Sequence, residues 1–117
     1  MILIVGGEGS GKRTFAKSLG YREEDMADGC LDDRPVIFHT ERLVFQAPEG
    51  ADLLYEGLLK KEVVICNEVG SGVIPMEQRE RQGREAAGRL CVRLAARADA
   101  VVRMVCGIPS VIRGKLP

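Results

Sequence analysis

Nine consecutive residues, Gly6-Gly7-Glu8-Gly9-Ser10-Gly11-Lys12-Arg13-Thr14, have the types and spacing to handle a phosphate chain. Gly6, Gly11 and Lys12 satisfy G-x-x-x-x-G-K, in which glycines let backbone N–H groups turn around an anion and a lysine reaches the β- and γ-phosphate oxygens as a mobile point charge. We assign all nine to this cradle. In the usual pattern a Ser or Thr follows the lysine, and its hydroxyl holds a magnesium ion. Arg13 stands there instead. Thr14 is the nearest hydroxyl, but one step along a helix turns a side chain by about 100°. Three outcomes stay open: Arg13 replaces the metal's charge, magnesium is held by other groups such as Thr14 and Glu68, or anion binding survives without catalysis.

Two further groups of residues have chemical potential. Asn67 and Glu68 follow the apolar run Val63-Val64-Ile65-Cys66. In parallel α/β sheets ligands gather beyond the carboxyl ends of strands, so both residues are expected to share a crevice with the glycine loop. A carboxylate there can hold magnesium or accept a proton from an attacking hydroxyl; a turn cap and a solvated acid are the plain alternatives. Arg89, Arg93 and Arg97 recur every four residues, after Arg79, Arg81 and Arg84. Such spacing makes a solvated helical face, or lets one or two guanidinium groups, Arg84 or Arg89 with Arg89 leading, fork onto phosphate oxygens. His39, the only histidine, is either a nucleophile or a packing residue beside Phe38.

The elements that must position these groups follow from periodicity. Residues 2–5, 63–66 and 101–106 read as buried strands, with Gly107-Ile108-Pro109 breaking the last. Helices are expected over 11–19, over 51–61 with Leu54, Leu58 and Leu59 inward, and over 76–98 with Ala87, Leu90, Cys91, Leu94 and Ala98 on one face. Gly88 inside that last helix suggests a close backbone approach. The acidic stretch 22–35 reads as a surface connection, 36–38 as a short strand or the entry to a helix, and 70–75 as a glycine-rich loop. Alternating strands and helices predict an α/β, three-layer fold with a small, mostly parallel sheet in one domain over 1–117.

Composition narrows the possibilities. With 117 residues, 45% of them apolar, the chain supports one modest core. No apolar run approaches the roughly 20 residues of a membrane span. The short apolar start leads straight into glycines, unlike a signal peptide. The cysteines Cys30, Cys66, Cys91 and Cys106 show no C-x-x-C spacing, so reduced thiols in a cytoplasm are expected. Charge sums to zero but is split: residues 1–78 hold 8 basic and 14 acidic side chains, residues 79–117 hold 9 and 3. The basic third lacks Phe and Tyr for base stacking, so nucleic acid is not an expected partner.

Gly6-Gly7-x-x-Ser10-Gly11-Lys12 together with Asn67-Glu68-Val69-Gly70-x-Gly72-Val73-Ile74-Pro75 resembles the bifunctional adenosylcobinamide kinase/adenosylcobinamide-phosphate guanylyltransferase family. Arg84-Glu85-x-Ala87-Gly88-Arg89, Leu94-Ala95-x-x-Ala98-Asp99 and Cys106-Gly107-Ile108 continue the likeness in order, over roughly residues 1–14 and 63–114. The resemblance implies a P-loop fold, ATP or GTP with Mg2+, a cobinamide-like acceptor and a homo-oligomer. It also implies guanylyl transfer through a histidine-linked intermediate, which the reduced middle of the chain supports least.

Overall fold

A computed structural model describes residues 1–68 and 78–117. The expected loop over 70–75 and the first two residues of the expected helix from 76 lie outside the described residues. Strand β1 (Ile2–Gly6) sits inside the sheet, with β4 (Val63–Asn67) on one side and β5 (Ala100–Val105) on the other, both parallel to it. Beyond β4 lie β3 (Val36–Phe38) and then β2 (Met26–Asp28), also parallel, while β6 (Ile108–Gly114) runs antiparallel at the other edge. The six-stranded order is β2-β3-β4-β1-β5-β6. β1 and β4 are apolar at almost every position because both of their faces are covered.

The two-residue period of the strands sorts the core into two layers. Ile2, Ile4, Val36, Val63, Ile65, Val102 and Met104 pack with Ala16 of helix α1 (Lys12–Ser18) on one face. Leu3, Ile37, Val64, Cys66 and Val101 pack on the other face, against α2 (Glu41–Gln46), α3 (Ala51–Leu59) and α4 (Gln78–Arg97). Val44 of α2, Tyr55 and Leu58 of α3, and Ala87, Leu90 and Leu94 of α4 close that layer. This is the expected three-layer α/β arrangement.

Several expectations need correction. The stretch 22–35 is not all connection: Met26 and Ala27 are buried in β2, too short a strand among acids to show any period. Residues 36–38 form a strand, the first of the two alternatives, and the helix begins only at Glu41. Gly107 does not end the sheet. Cys106 (φ 51°) and Gly107 (φ 77°) make a two-residue hairpin turn, pairing Val105 with Ile108. Positive φ at both turn positions matches the right-handed twist of the flanking strands. In α3 the buried pair is Tyr55 and Leu58, with Leu54 and Leu59 only partly covered.

Close helix approach occurs at Gly83 rather than Gly88. A Cβ on Gly83 would lie 2.4 Å from the Phe45 ring of α2, whereas none of the described residues comes within 4 Å of one on Gly88. The ammonium of Lys61, itself buried, donates to the carbonyls of Asp32 and Arg34 and folds the acidic loop back onto the start of β4. Leu94 is wholly buried between α4 and the sheet. Leu94→Ala is expected to cost about 3 kcal/mol through lost burial and the cavity left behind. The denaturant midpoint reads it, and a midpoint equal to that of the parent protein would show that α4 does not close this core.

Candidate functional site

The glycine loop leaves β1 at Gly6 and enters α1 at Lys12, with Gly9 (φ 71°) and Gly11 (φ 93°) in left-handed conformations that a Cβ would strain. The Ser10 N–H donates to the Gly7 carbonyl at 3.2 Å, which turns the chain. The hairpin turn braces it from outside: the Gly107 N–H donates to the Ser10 carbonyl at 3.0 Å, and a Cβ on Gly11 would stand 3.3 Å from the Gly107 Cα. Gly6 is equally constrained, since its Cβ would fall 2.7 Å from the Met104 carbonyl oxygen.

Lys12 is folded into this turn. Only 8% of its surface is exposed, and its Nζ donates to the Gly7 carbonyl at 2.5 Å, with Ser10 Oγ 3.5 Å away. Loss of hydration lowers its pKa from the ordinary lysine value, an effect partly offset by Glu8, Glu41, Cys66 and Glu68. The loop opens on a cleft of about 280 Å³, lined by Glu8 to Thr14 together with Phe38, His39, Ile65 and Asn67. The ends of β3 and β4 therefore face the loop across one crevice. Arg13 does not point away: its guanidinium carbon stands 4.7 Å from the centre of the Phe38 ring, a cation–π contact across the cleft. Thr14 also lines the cleft, so a hydroxyl is present despite the rotation along α1.

Asn67 and Glu68 part company. The Asn67 side chain donates to Glu8 at 2.5 Å, and its backbone N–H donates to the buried Glu41 carboxylate at 3.0 Å. Glu68 lies at the expected end of the sheet, its N–H donating to the Gly6 carbonyl at 2.8 Å. Its carboxylate instead takes a fork from Arg103 of β5, at 2.7 and 3.3 Å, and faces an apolar groove of about 340 Å³ between α4 and the β5–β6 edge. Arg89 is not brought to the cleft either. It projects from α4, 3.9 Å from Glu85, into a separate groove with Glu49, Asp52 and Arg93. Cys66 is buried outside the cleft lining, and a hydrogen bond to Cys91 and burial hold its thiol well above the ordinary range.

Sequence reasoning underused the end of β3. Phe38 and His39 line the cleft, and His39 Nδ1 lies 2.7 Å from Asp28 at the end of β2. Arg42 donates to the same Asp28 oxygen at 3.1 Å. The His39 hydrogen bond, then the nearby positive charges, lower the Asp28 pKa from the ordinary aspartate value. The signal was present in outline: Val-Ile-Phe followed by His-Thr repeats the pattern of an apolar strand ending in polar residues that marked Cys66-Asn67. Among the described residues no group of three or more His, Cys, Asp or Glu is gathered to cage a metal, and no helix is long and apolar enough to cross a membrane.

Comparison with known proteins bears on this cleft. A family model described as cobinamide kinase / cobinamide phosphate guanyltransferase matches residues 46–112, more than half of the chain. The bifunctional adenosylcobalamin biosynthesis protein CobU of Salmonella typhimurium is 48% identical over 48 residues, 41% of this chain and 26% of that protein. The bifunctional adenosylcobalamin biosynthesis protein CobP of Pseudomonas aeruginosa is 29% identical over 102 residues, 80% of this chain and 59% of that protein. The chain thus spans about a quarter and about three fifths of these two curated relatives. The matched stretch carries α3, β4, α4, β5 and most of β6, and the chain belongs to the cobinamide kinase / cobinamide phosphate guanyltransferase family.

Proposed function

We propose that residues 1–117 act as one nucleotide-binding domain that transfers the terminal phosphoryl group of ATP or GTP to a hydroxyl of a cobinamide-like acceptor. The observation that carries this reading is the dehydrated Lys12 ammonium, held inside a left-handed glycine turn at the mouth of a cleft, in a chain of this family. An ammonium deprived of water and given one carbonyl gains most from an anion that replaces that carbonyl. The β- and γ-phosphates of a nucleotide are such an anion, and Lys12 needs only to swing from Gly7 to reach them. Phosphoryl transfer asks a protein chiefly for positioning and charge, which a small cleft can supply.

Magnesium uses hard oxygen donors with phosphate and water. The cleft offers that donor type in the Ser10 and Thr14 hydroxyls and the Glu8 carboxylate. These residues would hold the ion, which would neutralise phosphate charge. Glu68, the acid first expected there, is engaged by Arg103 and supports the Gly6 end of the loop through its backbone. Arg13 brings a second fixed positive charge into the cleft, and in this reading it shares the metal's electrostatic task. Transfer of a guanylyl group is not part of the proposal. A homo-oligomer and a cytoplasmic setting belong to it, the former supported by exposed Val92 and Ile112 along the apolar groove.

Titration calorimetry with ATP and GTP, with and without magnesium, followed by transfer of labelled γ-phosphate to adenosylcobinamide, tests this reading. Lys12→Ala is expected to weaken nucleotide binding at least about tenfold, roughly 1.4 kcal/mol, and to abolish transfer. Transfer by the parent protein no greater than by Lys12→Ala would defeat the enzyme reading, and nucleotide binding without turnover would leave a binding module in its place. Arg13→Ser restores a hydroxyl after the lysine and removes a charge, so nucleotide affinity should become more dependent on magnesium than in the parent. An unchanged dependence would show that Arg13 takes no part in balancing phosphate charge.

A further inference from the structure

We propose that His39 is the general base that takes the proton from the acceptor hydroxyl, with Asp28 as its positioning residue; this rests on the phosphotransferase reading above. The cleft has a loop side and a strand side. On the loop side sit Lys12 and Arg13, both cationic; on the strand side, the ends of β3 and β4 present Phe38, His39, Ile65 and Asn67. Of these four only His39 carries a side-chain nitrogen whose lone pair can take a proton. A hydroxyl that approaches a loop-held phosphorus from the strand side would meet the imidazole.

The imidazole is held for that task. Nδ1 lies 2.7 Å from Asp28 Oδ1, and the same oxygen accepts from Arg42, so the carboxylate is itself fixed. With an ionised carboxylate at Nδ1, the proton sits on that nitrogen and Nε2 is left with its lone pair. No partner for Nε2 is found among the described residues. The Phe38 ring, centred 4.8 Å away and tilted by 58°, limits the imidazole on one side. The backbone adds a second sign: His39 has φ 54°, a left-handed conformation costly for a residue with a Cβ. Strain of this kind persists where surrounding bonds over-determine it, as the Arg42 N–H to the His39 carbonyl at 3.0 Å and the Gly29 N–H to the Phe38 carbonyl at 2.8 Å do here.

The step balances without a further reagent. The acceptor oxygen forms its bond to the γ-phosphorus while the bond from that phosphorus to the β–γ bridging oxygen breaks, leaving the nucleoside diphosphate with that electron pair. The hydroxyl proton passes to His39 Nε2, and the resulting imidazolium, stabilised by Asp28, returns it to water after the product leaves.

Single-turnover transfer from labelled ATP or GTP to adenosylcobinamide, with nucleotide affinity measured alongside, tests the assignment. His39→Gln should bind nucleotide as the parent does and lose about 100-fold in the transfer rate constant. His39→Ala should lose a similar factor and regain rate with added imidazole, a rescue that a purely structural histidine would not show. Asp28→Asn should slow transfer less than His39→Gln and shift the imidazole tautomer seen by 15N NMR. Transfer by His39→Gln at the parent rate would overturn the base while leaving the phosphotransferase reading intact. So would label retained on the protein in an acid-labile form that His39→Gln lacks, since it would make the imidazole a nucleophile. Parent transfer no greater than that of Lys12→Ala would remove the reaction and the base with it.

Discussion

A largely buried lysine ammonium, folded into its own loop, sets the terms for this fold. Lys12 Nζ has the Gly7 carbonyl at 2.5 Å, and loss of hydration makes its charge costly to hold. The turn that encloses it is not self-supporting, because two left-handed glycines and one weak N–H to carbonyl bond hold little on their own. Neighbouring strands close it. Glu68 donates its N–H to Gly6 from the β4 side, and Gly107 donates to Ser10 from the β5–β6 hairpin. The central position of β1 between two parallel partners is what lets both braces reach the same loop. Displacing the hairpin would therefore loosen the lysine, although the two are almost a hundred residues apart.

The pleat then divides the neighbourhood in two. Asn67 and Glu68 are adjacent in sequence, yet one amide turns to Glu8 in the cleft and the next carboxylate turns to Arg103 on the α4 side. Alternation along an extended chain makes this the natural result. The acid opposite Lys12 is consequently Glu8, within the loop itself, together with the buried Glu41 that caps the end of β4. Charge in the cleft is balanced locally: Lys12 against Glu8 and Glu41, and Asp28 against Arg42, with His39 hydrogen-bonded to the same carboxylate. Of the cations that line the cleft, Arg13 has an aromatic face as its observed contact.

Much of this arrangement was legible in the residues. The apolar run before Gly6, the glycine spacing, the apolar face of α4 and the run ending at Asn67 each carry a period or a punctuation strong enough to read alone. What was not legible depends on partners distant in sequence. β2 is a strand only because β3 lies beside it, and its three residues show no period among acids. The hairpin was missed because Gly-Ile-Pro reads as a break, whereas Pro109 lies in an edge strand, where its lack of an N–H is tolerated. The direction of Glu68 was set by Arg103, thirty-five residues away. Arg89 shares its helix face with Arg93, which bonds Asp52 and covers the Tyr55 ring at 4.1 Å, so that face looks toward α3 and not toward the loop.

The region between the glycine loop and β4 had the least readable role, and its placement now changes the chemistry available. Residues 20–62 supply β2, β3, α2 and α3, and thereby the strand wall of the cleft, from Phe38 and His39 to the Asp28 behind them. The family match over 46–112 includes Ile65 and Asn67 of that wall but not Phe38, His39 or the glycine loop. Geometry gives residues 28–39 three features: an aromatic surface that holds Arg13, an imidazole hydrogen-bonded to a carboxylate, and a left-handed backbone at His39 kept in place by two hydrogen bonds. A cleft walled only by β4 would offer Asn67 and Ile65, neither of which can take a proton. The short β3 strand, held between β4 and the equally short edge strand β2, is what brings an imidazole to this wall.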